Sequence, residues 1–157
     1  MCIGTAADST RIICIYEGEG KPGSQRTLDA FKDYIKERSI LIHDDENSHS
    51  LLIDTLKLIE ITYKSADLKD LSDDDNPLDR INDVHNLLKF FLDSHSGFLR
   101  KHIQGYLDLF VFIMNPPYNK LKKAELFIDM AIRSKNTLRY REFYKTDTTI
   151  PAEDSEE

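Results

Sequence analysis

The sequence predicts an α/β domain, because short strand-like runs alternate along the chain with segments of helical periodicity. A chain of 157 residues has the length of one domain with a sizeable core. One short, continuous apolar run, Ile40-Leu41-Ile42, is typical of a strand buried on both faces of a sheet. After residue 76, apolar residues recur at helical spacing, which predicts helices beside that sheet.

The first third of the chain is expected to form two strands and a helix. Residues 2–7 and 11–17 are short runs rich in Ile and Cys, which predict strands. Asp8-Ser9-Thr10 between them predicts a hairpin turn, and we interpret Asp8 as a turn residue rather than a catalytic carboxylate. A helix follows over residues 24–38. Its buried side is expected to hold Leu28, Phe31, Tyr34 and Ile35.

The middle of the chain continues the alternation. A short helix over residues 49–57 precedes a strand over residues 59–63. Residues 64–79 are polar and contain the run Asp73-Asp74-Asp75, which is typical of a solvated loop and is left out of the site.

Three helices are predicted in the rest of the chain. The first begins after Asn76, and its apolar stripe is expected to be buried; the stripe contains Leu78, Ile81, Val84, Leu88 and Phe91. The second covers residues 98–114 and is stopped by Pro116-Pro117, with Leu99 among its core positions. The third covers residues 120–133. It is expected to bury Leu121, Phe127, Ile128 and Ile132.

The last residues, from 138 onward, change in composition. The basic and aromatic residues 138–144 are typical either of a nucleic-acid contact or of a docked C-terminal segment. Residues 146–157 form an acidic tail that we expect to be disordered, so the predicted domain covers residues 1–145.

The charge of the chain argues against non-specific nucleic-acid binding by the whole surface. The net charge is −7, and Lys and Arg supply most of the affinity for phosphate backbones. Residues 81–145 nevertheless carry 11 basic and 6 acidic side chains, so this region can face DNA.

Cys2 and Cys14 lie in apolar runs and are expected to be buried free thiols. With no signal peptide and no apolar run of membrane length, the sequence predicts a cytoplasmic protein without a membrane partner.

Candidate site residues come from two places in the sequence. Asn82, His85 and Lys89 fall along one line of the helix that follows Asn76, a pattern that fits phosphate or metal chemistry or a solvated face. Asp44 follows the apolar run at residues 40–42. In α/β sheets ligands bind at the carboxyl ends of parallel strands, which favours Asp44 as a site residue. The alternative is that the residues after Asp44 only start the next helix, where acidic side chains suit the helix dipole.

The stretch from Asn76 to Pro117 resembles the end of the catalytic domain in bacterial insertion-sequence transposases, in the ISXO-like branch of the DDE superfamily. The resemblance rests on the spacing of Asn82, His85 and Lys89, on the turn His95-Ser96-Gly97, and on the Leu-, Tyr- and Phe-rich run that follows. It extends back through LIHDDENSH and covers residues 2–143. It implies an RNase H-like (retroviral-integrase-like) mixed sheet flanked by helices.

The resemblance also implies roles for the site residues. In this superfamily three residues hold two Mg²⁺ (or Mn²⁺) ions for cleavage and joining of DNA. Asp44 matches the second metal-binding position and Asn82 the third, while Lys89 is placed to hold the scissile phosphate and His85 to support the site. The implied partners are transposon ends, target DNA, and further copies of the chain or an intact transposase.

The first Asp of the family has no counterpart in this sequence. We therefore expect the first strand of the fold to be lacking, and the metal ions to be bound only in an intact domain. We expect no Mg²⁺- or Mn²⁺-dependent nicking or strand transfer by residues 1–157 alone. Transposition is the predicted function. A non-catalytic remnant acting as an interaction module is the alternative, with a nuclease of the same fold as a weaker one.

Overall fold

The computed structural model describes residues 1–69, 71–72, 75–95 and 99–134, and of Ser65 only the backbone. The chain divides into two compact units, residues 1–116 and residues 117–157. Several predictions lie outside the described residues: the segment at 138–144, the tail from 146, Asp73 and Asp74, and the Ser96-Gly97 part of the turn.

The chain begins with an antiparallel hairpin, β1 (Cys2–Ala7) and β2 (Ile12–Gly18). Asp8 closes its turn, because its Oδ1 accepts hydrogen bonds from the backbone N–H groups of Thr10 at 2.6 Å and Arg11 at 2.8 Å. These bonds stabilise the carboxylate and lower the pKa of Asp8. The prediction of a turn residue is confirmed.

The outer edge of β2 is closed by two side-chain amides from a helix rather than by a third strand. Asn115 accepts from the Ile12 N–H at 2.7 Å and donates to the Ile12 carbonyl at 3.0 Å. Gln104 accepts from the Tyr16 N–H at 2.9 Å and donates to the Cys14 carbonyl at 3.4 Å. The backbone groups at this edge thereby gain partners that a sheet edge otherwise lacks.

The second strand pair is parallel. Strand β3 (Ile40–Asp44) pairs with β4 (Ile59–Tyr63), so that Ile40 lies opposite Ile59 and Asp44 opposite Tyr63. Parallel strands need a crossover, and this one passes through a 3₁₀ turn at Asn47–His49 and helix α2 (Ser50–Leu56). Helix α1 (Ser24–Phe31) joins the hairpin to β3. The described strands thus form two two-stranded sheets in a mixed α/β arrangement.

Helices pack on both faces of the hairpin because its side chains alternate. Ile12 and Cys14 face a core built with helices α4 (Asp79–Ser94) and α5 (Ile103–Met114), whereas Ile13 and Ile15 face α1 and α2. The first core contains Ile12, Cys14, Val84, Leu88, Ile103, Leu107 and Phe110. The second contains Leu28, Phe31, Leu52, Leu56 and Leu58.

Several predicted core positions are exposed in the first unit. Tyr34 is 63% exposed because α1 ends at Phe31 and not near residue 38. Ile40 and Ile42 are 60% and 43% exposed, so the prediction that β3 is buried on both faces was wrong. Leu99 is 49% exposed because the second long helix begins at Ile103, after a 3₁₀ turn.

The polar stretch before α4 contains a single helical turn, α3 (Ser65–Leu68).

In the second unit, helix α6 (Lys120–Arg133) has the predicted bounds. Its N-cap is Asn119, whose side chain accepts from the backbone N–H groups of Leu121 and Lys122. The predicted burial was wrong, since Leu121, Phe127, Ile128 and Ile132 are all exposed. None of the helices in the described ranges has the length and apolarity to cross a membrane.

Candidate functional site

Asp44 is the last residue of β3 and lies at the carboxyl end of the parallel strand pair. Its side chain is exposed, and the alternation of the strand places it on the face opposite to the buried His43. The chain turns directly after it, with the Glu46 N–H donating to the Asp44 carbonyl. Asp45 and Glu46 precede the 3₁₀ turn, as expected for residues at a helix start.

The predicted face of α4 carries the other three candidate residues. Asn82, His85 and Lys89 are exposed and follow one another at intervals of three and four residues. On the apolar stripe Val84 and Leu88 are buried at 5% exposure each, as expected, whereas Ile81 and Phe91 are only half-buried. The candidate residues of the helix therefore lie beside its buried stripe and not within it.

His85 connects this face of α4 to β1. Its Nε2 is hydrogen-bonded to the hydroxyl of Thr5, which lies opposite Cys14 in the hairpin. Burial lowers the pKa of His85, the positive charge of Lys89 lowers it further, and the negative charge of Asp44 partly offsets both. The charges of Asp44 and Lys89 thus both act on the His85 imidazole.

Thr5 was not predicted as a site residue. It is a strand residue of an ordinary type, and nothing in its sequence neighbourhood marks it. Only the packing of α4 on β1 brings its hydroxyl to His85.

Asn82 lies one helical turn before His85, with its side chain exposed. Its backbone N–H donates to the Leu78 carbonyl as part of the first turn of the helix. The expected approach of Asn82 to Asp44 stays a prediction.

The side chains around Asp44 do not by themselves fit a pair of Mg²⁺ ions. The groups whose pKa values respond to Asp44 are the imidazoles of His49 and His85. Mg²⁺ prefers oxygen ligands in near-octahedral geometry, and Asp44 with Asn82 offers one carboxylate and one amide. In the part of the chain that the structure describes, no three His, Cys, Asp or Glu side chains are grouped to hold a metal ion.

A second polar cluster lies on the opposite face of β3, and the sequence analysis missed it. The buried His43 is hydrogen-bonded through Nε2 to Glu60 Oε1 at 3.0 Å, and its Nδ1 is 3.2 Å from Nδ1 of His49. Thr62 donates to the same Glu60 oxygen at 3.2 Å. The available signal was a pair of histidines six residues apart around an acidic turn, followed by a strand with polar residues at alternate positions.

A cleft in the first unit has a volume of about 580 Å³, and no residue of either polar cluster lines it. It is lined by the ends of β1 and β2, the start of β3, residues 34–36 and one side of α5. None of Asp44, Asn82, His85 and Lys89 contributes to its lining. The candidate site is therefore assigned to the residues around Asp44 and not to this cleft.

The sequence was compared with family models, and the chain with curated proteins and solved structures. No family model matches it, and neither a curated protein nor a solved structure does. A function can therefore be inferred from the resemblance in the sequence and from the arrangement of Asp44, His85, Lys89 and Thr5.

Proposed function

We propose that this chain is a DDE transposase catalytic domain of the ISXO-like branch, with an RNase H-like fold. Its function is DNA transposition by metal-dependent phosphodiester cleavage and strand transfer. The observation that carries the proposal is that Asp44 and Lys89 both lie near enough to His85 for their charges to change its pKa. Asp44 and His85 are about 40 positions apart in the sequence, so only the fold brings them near each other.

The local chemistry supports a phosphate-binding role for the α4 face. Lys89 carries a positive charge on an exposed side chain, and a compact ammonium is a common partner for phosphate oxygens. The Thr5 hydroxyl fixes the position of one His85 ring nitrogen. A DNA phosphate bound by Lys89 would lie one helical turn from His85.

The arrangement of the elements also supports the proposed fold. An antiparallel hairpin is covered by helices on both faces, and a parallel strand pair with a crossover helix follows it. The carboxyl end of β3 lies where such α/β folds place their reacting groups.

The test is a cleavage and strand-transfer assay on DNA that carries the ends of the element. Because Asp44 and Asn82 supply too few carboxylates for two ions, we expect the 157-residue chain alone to be inactive. The same chain joined to a strand bearing one further Asp should cleave in Mg²⁺ or Mn²⁺. Asp44→Ala should abolish that activity and Lys89→Met should reduce it, whereas Asp45→Ala, at the adjacent exposed position, should leave it unchanged.

Two results would contradict this account. Cleavage that survives Asp44→Ala would remove Asp44 from the site and with it the proposed family. Metal-dependent cleavage by the 157-residue chain, abolished by Asp44→Ala, would keep the family but show that a third ligand lies within these residues.

A second candidate function, an interaction module that pairs with an intact transposase, is favoured by one surface. Ile40, Ile42, Ile59 and Ile61 lie on one face of the β3–β4 pair, where the parallel register places them opposite one another, and they are between 37% and 60% exposed. Contiguous exposed apolar side chains are typical of protein contacts. Mixing the chain with intact transposase should give a complex in sedimentation that Ile42→Lys weakens and Asp45→Lys, on the nearby turn, does not. Equal binding by all three forms would exclude this surface.

A further inference from the structure

The cleft of about 580 Å³ has an apolar floor that belongs to the margin of the second core. Helix α1 ends at Phe31 and is followed by turns, so the side chains beyond its end stay accessible. The volume lies in the range of about 300–1,000 Å³ that is usual for small-molecule sites. Of the described apolar residues, five both line the cleft and pack half-buried against the second core: Ala6, Ile13, Ile15, Ile35 and Leu41.

Hydrogen bonds hold both walls of the cleft in place. On one side the Ile35 N–H donates to the Phe31 carbonyl at 3.1 Å, and the Ser39 hydroxyl donates to the Lys36 carbonyl at 2.7 Å. On the other side, α5 is held by the two side-chain amides that close the outer edge of β2. The cleft is therefore formed before any ligand enters, which lowers the entropy cost of binding.

The charged residues of the cleft differ in whether they are already bonded within the protein. The Asp8 carboxylate accepts from the N–H groups of its own turn, and the Asp108 carboxylate accepts from Gln104 at 2.8 Å. Arg11 and Lys36 are exposed, and neither side chain has a hydrogen-bond or ion-pair partner among the residues that the structure describes. The two cations can therefore pair with an anion.

We propose that this cleft binds an elongated apolar molecule with one anionic end, of which a medium- or long-chain carboxylate is the simplest example. The apolar body would lie on the floor that includes Ile13, Ile15 and Leu41. The carboxylate would pair with Arg11 and Lys36. Burial of the apolar body supplies most of the affinity, and the exposed charge pairs select the sign of the head group.

The same two features argue against other ligands. A small inorganic anion would leave the apolar floor in contact with water, and a cationic amphiphile would be repelled by Arg11 and Lys36. The cleft shares no residue with the cluster of Asp44, His85 and Lys89, so this site does not depend on the proposed transposase function.

The test is isothermal titration calorimetry of the 157-residue protein with sodium decanoate, sodium octanoate and decyltrimethylammonium chloride, each below its micelle concentration. We expect one decanoate per chain and at least about tenfold weaker binding of the ammonium compound. Octanoate should bind more weakly than decanoate, by up to about fourfold for each CH₂ group that the floor no longer covers.

Charge reversal tests the cationic side of the cleft. Arg11→Glu and Lys36→Glu should each weaken decanoate binding by about three- to tenfold, because each replaces an attractive pair with a repulsive one. Lys21→Glu changes an equally exposed lysine that does not line the cleft, and it should leave the affinity unchanged.

Two isoleucines of β3 provide a matched pair for the position of the ligand. Ile40 and Ile42 lie on the same exposed face of the strand, but only Ile40 lines the cleft. Ile40→Glu should weaken decanoate binding at least about tenfold and Ile42→Glu should not, at about 0.15 M salt, which screens more distant charges. Both side chains are exposed, so both variants are expected to fold, and circular dichroism checks this.

The proposal is overturned if decanoate does not bind below its micelle concentration, or if the ammonium compound binds equally well. Wild-type affinity in all three of Arg11→Glu, Lys36→Glu and Ile40→Glu would also overturn it. Equal weakening by Ile40→Glu and Ile42→Glu would move the ligand to the open face of the strand pair and out of the cleft. Self-association that Ile40→Glu abolishes, without decanoate binding, would assign the cleft to a second copy of the chain instead.

Discussion

At the scale of single residues, the candidate site is defined by charge and burial acting together. His85 has one ring nitrogen against Thr5 while much of the side chain stays accessible, so burial and the charge of Lys89 act on it at once. The pKa of His49 is also lowered, first by burial and then by the neighbouring His43. The negative charge of Asp44 raises the pKa of both histidines and partly offsets these effects.

Replacing Lys89 tests whether the α4 face is arranged as described. Lys89→Met removes the positive charge that disfavours protonation of His85, so the pKa of His85 should rise toward its ordinary value of 6.5. The pKa of His49, which Lys89 does not influence, should stay where it is. Proton NMR titration of the imidazole resonances measures both. An unchanged His85 would mean that Lys89 points elsewhere.

Burial itself can be tested within one helix. Leu107 is fully buried and Leu109, two residues later in α5, is 43% exposed. Leu107→Ala should lower the free energy of unfolding by about 2–5 kcal/mol because it leaves a cavity in the core. Leu109→Ala should change it by less than about 1 kcal/mol. Urea denaturation provides the comparison, and similar losses in the two variants would contradict the assigned face of α5.

At the scale of elements, the hairpin is the part of the first unit on which both cores depend. One face contacts α4 and α5, the other contacts α1 and α2, and the outer edge of β2 is closed by the Gln104 and Asn115 amides. Gly4 allows the close packing on the α1 face. A Cβ there would lie 2.6 Å from a ring carbon of Phe31 and would also meet the carboxylate of Glu17.

Two glycine substitutions should therefore have opposite effects. Gly4→Ala should destabilise the protein by about 1–3 kcal/mol, because the buried Phe31 ring must move. Gly105→Ala should stabilise it by about 0.5–1 kcal/mol, because Gly105 lies inside α5 with nothing within 4 Å of its Cβ position. Thermal unfolding followed by circular dichroism measures both. A stabilising Gly4→Ala would place α1 farther from β1 than the structure does.

At the scale of the whole molecule, the groups whose pKa values are shifted in the folded chain define a range of pH in which the native state is most stable. The pKa values of His49 and His85 are lowered, so the unfolded chain takes up protons first as the pH falls below about 6.5. Burial raises the pKa of Cys14 from 9.0 to about 12, so the unfolded chain loses that proton first as the pH rises above about 9. Both effects favour unfolding outside the range between them.

We therefore expect the free energy of unfolding to be highest between about pH 7 and pH 9 and to decline on both sides. Urea denaturation at pH 5.5, 8 and 10 measures the effect. Cys14→Val should reduce the alkaline decline, and His85→Gln should reduce the acidic one. Stability that rises from pH 8 to pH 10 in the wild type would show that Cys14 is not buried in the native state.

The sequence by itself determined most of the local structure of this protein. Hydrophobic periodicity and turn chemistry depend on neighbouring residues, which is why the hairpin, the Asp8 turn, β4 and α6 lie where they were predicted. The same periodicity identified Val84 and Leu88 as core residues and thereby the face of α4 that holds Asn82, His85 and Lys89.

Only the tertiary structure decided which apolar residues are covered and which polar residues meet. Ile40, Ile42 and the apolar side of α6 are as hydrophobic as the core residues, but burial requires a partner surface, which local sequence does not specify. Contacts between distant segments, such as Thr5 with His85 and His43 with Glu60, depend on how helices and strands pack. A hydrogen bond between residues 80 positions apart leaves no periodic signal in the sequence, and so the contact between Thr5 and His85 became visible only in the folded chain.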